Sequence, residues 1–251
     1  MAETPETPSK TPPNAPPKAE RTSRAKAALR KITFRSAVKW IVICAVGLWA
    51  LFVLMLIGLR WIDPPTTAVH MERHMQAWVH GAAYHERYDF VALDEIAPVF
   101  QHAVIAAEDA RFYQHHGFDW DAMEIAAEGD MKGERIRGGS TLTQQLVKNL
   151  FFGTERSIIR KGAEFTLVPV AELVLGKRRI LELYLNVVEW GPGVYGAESA
   201  CRYYYKTSAK SIDRQRAAEL AAILPLPLKR RPEHMMHYSE IILERMSQMG
   251  W

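Results

Sequence analysis

Cysteine is nearly absent: 251 residues hold only Cys44 and Cys201. The first lies in a long apolar run, so the region beyond it has one thiol and cannot form an internal disulfide. That region must stand on packing alone. Runs that alternate apolar and polar residues are few, which speaks against a sheet fold, and no internal repeat is present, which excludes a solenoid. Basic character is also missing where a nucleic-acid groove would need it. Residues 1–39 carry nine Lys or Arg against three Glu, an excess of six, while the whole chain stands at +4, so residues 40–251 carry a net −2. A near-neutral body behind a basic leader fits a membrane topology signal and not a polyanion partner. His70 and His74 stand four apart, but no third ligand accompanies them in the sequence, and no metal site is expected there.

What the chain does have is apolar material: 48% of residues are hydrophobic, enough for one sizeable core. Trp40 to Leu59 holds 20 residues without a charge. At about 1.5 Å per residue such a helix spans roughly 30 Å of hydrocarbon. It exceeds the apolar core of a cleaved signal and is followed by Arg60-Trp61 instead of a small-x-small site. The expectation is a transmembrane anchor over residues 40–60, with Trp40 and Trp61 at its two interfaces. The positive-inside rule then leaves residues 1–39 in the cytoplasm and exports residues 61–251. Six prolines within residues 1–20 mark a disordered basic tail over 1–39. All core segments are expected beyond Asp63.

The exported part reads as mainly α. Ala103 to Ala110 is a helical patch. Asp119 can cap a helix running through Glu128, with Gly129 near its end. Thr141-Leu-Thr-Gln144 fits a capping box that opens a helix to about Phe152. Arg156 to Leu175 is apolar at helical spacing, with Pro169 inside it expected to kink it and Gly176 to end it. Arg178 to Val188 and Arg214 to Leu224 complete the set.

Four segments suggest chemistry. In Glu108-Asp109-Ala-Arg-Phe112-Tyr-Gln-His115-His-Gly117 a buried helix delivers a carboxylate pair to a glycine turn, and burial raises the pKa of a carboxylate toward that of a general base. In Gly138-Gly-Ser140-Thr141-Leu-Thr143-Gln144-Gln145-Leu-Val-Lys148-Asn149 glycines, hydroxyls and amides gather at a helix N-terminus, a cradle for an anion and a sugar. Arg156, Arg160 and Glu164 share one helical stripe with Lys161 beside them, suited to a diphosphate next to a reacting hydroxyl. The fourth, Lys177 through Ala197, is mostly core, with Glu182 and Asn186 bracing neighbouring loops.

In this order the four segments resemble the peptidoglycan glycosyltransferases of family 51, in their monofunctional branch. The resemblance covers about residues 90–230 and includes the Glu-Asp-x-x-Phe-x-x-His-x-Gly, Gly-Gly-Ser-Thr-x-Thr-Gln-Gln-x-x-Lys-Asn, Arg-Lys-x-x-Glu and Ile-Leu-Glu-x-Tyr-Leu-Asn patterns. It implies a lysozyme-like helical domain with donor and acceptor sites along one cleft beside the membrane. It places the catalytic base on Glu108 and a second essential carboxylate on Glu164. Diphosphate contacts fall on Lys148, Arg156 and Arg160, while Ser140, Gln144 and Gln145 line the cleft. Substrate contacts extend to Asp109, Phe112, His115, Thr141, Thr143, Asn149 and Lys161. The implied reaction joins lipid II units into β-1,4-linked glycan with inversion at C1 and release of polyprenyl diphosphate. No cofactor is required, with room for a divalent cation (Mg or Mn). Lipid II, the growing lipid-linked glycan and the membrane are the implied partners, together with cell-division or penicillin-binding proteins, and no nucleic acid.

Three rival classes remain. A lysozyme-type lytic enzyme shares the fold but has no use for a Lys and Arg set. A non-catalytic cell-wall scaffold needs no base. A bifunctional penicillin-binding protein needs an acyl-serine domain, and the Ser-x-x-Lys matches at Ser36 and Ser23 lie in the basic flank with no Lys-Thr-Gly to accompany them.

Overall fold

The structure, a computed structural model, describes residues 18–132, 139–155 and 157–251, with backbone alone for 18–34 and 130–132. The chain divides into two compact units, Met1–Ala50 and Leu51–Trp251. Helix α1 runs over Lys18–Leu59. Its stretch Arg35–Leu59 is long and apolar enough to cross a membrane. Residues 18–39 are helical where a disordered tail was expected. Their Ala, Leu, Lys and Arg favour helix, and the apolar helix that follows supplies the nucleus, so only propagation is needed.

The second unit begins within α1, earlier than the sequence suggested. Leu56 and Leu59 are buried, and Phe52 stacks on Phe151 with ring centroids 4.9 Å apart. Arg179 holds the end of the helix: its Nε donates to the Leu59 carbonyl at 2.8 Å, and its Nη2 donates to the Ile62 carbonyl at 3.1 Å and the Asp63 carboxylate at 2.8 Å. The core therefore starts before Asp63, because the last turns of α1 are apolar on the side that meets the domain.

Helix α2 (Ala68–Val79) starts at an N-cap, with the Thr67 side chain accepting from the His70 N–H, and packs on α5 (Leu142–Phe151). Glu86 reaches back to α2, 3.0 Å from His70 Nδ1 and 2.5 Å from His74 Nε2. Among the described residues no group of three or more His, Cys, Asp or Glu side chains is placed to hold a metal. Helix α3 (Pro98–Glu108) opens with proline in its first turn, where the missing N–H costs nothing, and buries Phe100, Ala103, Val104, Ile105 and Ala106. It stops at Glu108 instead of Ala110. Helix α4 (Trp120–Lys132) is capped by Asp119, whose Oδ1 accepts from the Ala122 N–H, and passes through Gly129 to Lys132.

Helix α5 opens with the expected capping box: Thr141 accepts from the Gln144 N–H while the Gln144 side chain accepts from the Thr141 N–H. None of its residues is exposed. Helix α6 (Ile158–Val187) lies along α5. Its non-helical residue is Gly176, at φ 71°, in the left-handed region that glycine adopts without strain. The break therefore falls at Gly176, and at Pro169 the chain keeps helical dihedrals. Pro169 and Phe165, whose carbonyl loses its partner, lie on the exposed side. A small sheet follows, with strands β1 (Arg87–Tyr88), β2 (Glu189–Gly191) and β3 (Val194–Tyr195) in the order β1, β3, β2. Strand β3 is parallel to β1 and antiparallel to β2. Helices α7 (Ala197–Tyr205), α8 (Arg214–Ile223) and α9 (Met236–Gln248) close the fold, with α8 against both α3 and α9. Trp190, Tyr184, Tyr195, Phe100 and Phe112 are the largest fully buried side chains. Each contributes roughly 1.5–3 kcal/mol by leaving water.

Candidate active site

The site is assembled by a bracket that joins the end of α3 to the start of α5. Asp109, which caps α3, is buried and accepts from His115 Nε2 at 2.9 Å and from the Leu142 N–H at 2.9 Å. The second bond satisfies one of the four amides that a helix start leaves without an intrahelical partner, and it sets a carboxylate where the helix dipole favours one. His115 Nδ1 in turn accepts from the Gly117 N–H at 3.1 Å, so the ring carries its proton on Nε2. The Thr141 hydroxyl donates to the Gly117 carbonyl at 2.7 Å. Gly117 has a φ of 94°, and a Cβ there would sit 2.5 Å from Val168 Cγ1, so only glycine lets the turn pass α6.

This bracket aims α5 at Glu108. Gln145 Nε2 donates to Glu108 Oε2 at 2.8 Å, and one turn on, Lys148 acts on the same carboxylate through its charge. Burial raises the Glu108 pKa above the ordinary carboxylate value. The Gln145 bond and the charges of Lys148 and Arg230 pull it back, while Asp109 pushes it further up. Lys148 is half-buried, and burial lowers its pKa. Glu164 and Glu108 favour its charge, whereas Arg160 and Lys161 oppose it. Its ammonium thus belongs electrostatically to both carboxylates.

Glu164 lies buried on α6. It holds Arg160 Nη1 at 2.5 Å and Lys161 Nζ at 3.3 Å. Arg160 Nε is buried with no hydrogen-bond partner among the described residues, in a region dense in positive charge. A third connection ties α6 to α5: Glu172 accepts from the Thr143 hydroxyl at 2.6 Å and from Lys177 Nζ at 2.8 Å. Lys177 also lies over the Phe112 ring, 4.5 Å from its centroid.

The sequence-derived residues sort accordingly. Glu108, Gln145, Lys148, Arg160, Lys161 and Glu164 converge on α3, α5 and α6. Asp109, His115, Thr141 and Gln144 are occupied by the bracket and the capping box, Thr143 by Glu172, and Phe112 and Asn149 are buried. Ser140 is half-buried just before α5. Arg156 and Gly138 lie outside the described residues. Glu182 and Asn186 brace loops as expected: Glu182 accepts from the Leu93 N–H, and Asn186 both accepts from and donates to the Val91 backbone.

Two residues near Glu108 escaped the sequence reading. Tyr184, in the Ile-Leu-Glu-x-Tyr-Leu-Asn pattern, passed as core, although its hydroxyl donates to Gln145 Oε1 at 3.0 Å. The signal was a polar tip in an otherwise apolar run. Arg230 sits in Lys229-Arg-Arg231, where nothing distinguishes it from solvated surface charge.

Over most of its length the chain is similar to proteins of known family. The family model described as transglycosylase matches residues 74–247. A biosynthetic peptidoglycan transglycosylase of Pseudomonas putida is 42% identical over 202 residues, covering 79% of this chain and 86% of the relative. Its namesake in Pseudomonas fluorescens is 42% identical over 221 residues, covering 86% and 89%. That of Shewanella oneidensis is 42% identical over 215 residues, covering 84% and 91%.

Proposed function

Because the chain belongs to the transglycosylase family, it is a peptidoglycan glycosyltransferase with a lysozyme-like helical domain, and we propose that Glu108 is its base and the α5 and α6 cations its diphosphate site. The observation that carries this reading is the arrangement around α5, where one helix gives Gln145 to Glu108 and places Lys148 under the influence of both Glu108 and Glu164. Glu108 takes the proton from the acceptor 4-hydroxyl as that oxygen attacks C1 of the donor. The configuration inverts from α to β, and the bond to the diphosphate breaks. The leaving group is already good. What it needs is countercharge, supplied by Lys148, Arg160, Lys161 and Arg156. Glu164 orients Arg160 and pairs with Lys161 at the edge of the site.

The substrates are lipid II and the lipid-linked glycan, and the reaction needs no cofactor beyond the help a divalent cation such as Mg or Mn would add at the diphosphate. The apolar helix Arg35–Leu59 anchors the chain in the bacterial inner membrane. The basic flank over residues 1–39 supports a cytoplasmic N-terminus and a periplasmic catalytic domain. Penicillin-binding or cell-division proteins are natural partners for a polymerase that makes uncrosslinked strands. Purified full-length protein incubated with labelled lipid II in liposomes is expected to give polymer, and Glu108→Gln is expected to polymerise at least a hundredfold more slowly, at roughly 10² to 10⁴-fold lower kcat. Shortening of added glycan without polymer would instead support a lytic enzyme, and no turnover in either assay would support a scaffold.

A further inference from the structure

We propose that Tyr184 is a positioning residue for the base, its hydroxyl fixing which end of the Gln145 amide faces Glu108 and thereby holding that carboxylate in the ionised form. The inference rests on the reading of Glu108 as base.

A primary amide has one accepting end and one donating end, so its two bonds are not independent. The Tyr184 side chain is fully buried, and its hydroxyl donates to Gln145 Oε1 at 3.0 Å. Gln145 Nε2 then donates to Glu108 Oε2 at 2.8 Å. Turning the amide over would set its oxygen against Glu108 and its NH2 against the tyrosine. Two penalties follow. The buried tyrosine proton would lose its acceptor, and oxygen would face oxygen unless Glu108 took up a proton. The tyrosine proton therefore selects the amide orientation that suits an ionised Glu108.

The other groups around this carboxylate do not make the hydroxyl redundant. Lys148 from α5 and Arg230 from the segment after α8 favour ionisation, whereas Asp109 at the end of α3 and burial itself oppose it. Tyr184 stays a donor throughout, because burial, with Glu108 and Asp109 nearby, pushes its own ionisation well above the ordinary tyrosine range. On this view the Tyr of the Ile-Leu-Glu-x-Tyr-Leu-Asn segment belongs to the catalytic machinery at one remove.

Tyr184→Phe keeps the ring and deletes only the hydroxyl. The test is the pH profile of kcat/KM for lipid II polymerisation by the full-length protein in liposomes. The acid limb is expected to move upward, leaving the variant about threefold or more slower than wild type on the acid side and near wild type on the alkaline side. A loss by the same factor at every pH would assign Tyr184 a packing role and overturn the inference, as would an unchanged profile. Gln145→Ala guards against a packing artefact: the hydroxyl acts through this amide, so adding Tyr184→Phe to Gln145→Ala should shift the limb no further. An additive shift would overturn the relay. Glu108→Gln, run alongside, separates the two readings. If it polymerises normally, the base assignment fails. If it is inactive while Tyr184→Phe leaves the limb in place, only the inference about Tyr184 falls.

Discussion

The Leu142 N–H donates to Asp109 Oδ2 at 2.9 Å, so the first residue of α5 is bonded to the residue that caps α3. The two helices that carry Glu108 and its amide partner Gln145 are thus registered through one buried carboxylate.

Removing that carboxylate should cost both stability and rate. Asp109→Ala leaves the His115 Nε2–H and the Leu142 N–H without partners, at about 1–3 kcal/mol for each buried group left unsatisfied. A urea melt should show a midpoint lowered accordingly, and polymerisation should fall because Gln145 and Lys148 lose their aim. Wild-type stability with normal turnover would show that the bracket does not organise the site.

Glu108→Gln should separate binding from chemistry. It keeps shape and hydrogen bonding but cannot accept the hydroxyl proton, so kcat should drop roughly 10² to 10⁴-fold while affinity for a non-reactive lipid diphosphate survives.

The same substitution should stabilise the fold in a pH-dependent way. The Glu108 pKa is raised by burial, so the folded state holds this proton more tightly than the unfolded chain does. The contribution of the protonated acid to stability is present below the ordinary carboxylate range and is lost as pH rises through the raised value. Glu108→Gln should therefore melt higher than wild type at neutral pH and lose that advantage on acidification. A melting difference that does not change with pH would contradict the burial argument.

Arg160→Ala should weaken diphosphate binding as well as rate, since the anion is present in the ground state and gains charge in the transition state. A charge pair at about 4 Å in an effective dielectric near 20 interacts by roughly 4 kcal/mol before desolvation is counted, so the net loss should be smaller. Binding of a lipid diphosphate analogue measured at two salt concentrations checks this, with the wild-type advantage shrinking at high salt.

Truncation should be sensitive to where it falls. Removing residues 1–50 leaves Phe52, Leu56 and Leu59 on the domain, whereas removing residues 1–60 uncovers Phe151 and frees Arg179 from Leu59. The shorter protein should melt lower and aggregate more readily in dilute detergent. Equal melting of the two would place the start of the core after Asp63.

What the sequence disclosed was mostly local. The capping box at Thr141, the stop at Gly176 and the loop braces at Glu182 and Asn186 each rest on residues a few positions apart, or on a residue whose conformational preference is intrinsic. The order of the four segments also sufficed to bring Glu108, Lys148 and Glu164 into view. Periodicity does not contain the pairing between elements. Asp109 and Leu142 are 33 positions apart, and Tyr184 and Gln145 are 39 apart. Which side chains meet there depends on how α3, α5 and α6 are registered, which becomes fixed only when the core packs. The same holds for Phe52, whose partner on α5 made the last turns of the long apolar helix part of the domain.

Helix α5 has no exposed residue. Thr143 bonds to Glu172, Gln145 bonds to Glu108 and Tyr184, Lys148 feels the charge of Glu108 and Glu164, and Phe151 stacks on Phe52. Such a helix has no side on which change is free. An inhibitor that drew its affinity from α5 would leave few routes of escape, because a substitution that weakened the drug would also disturb what holds Glu108, Glu172 or Phe52.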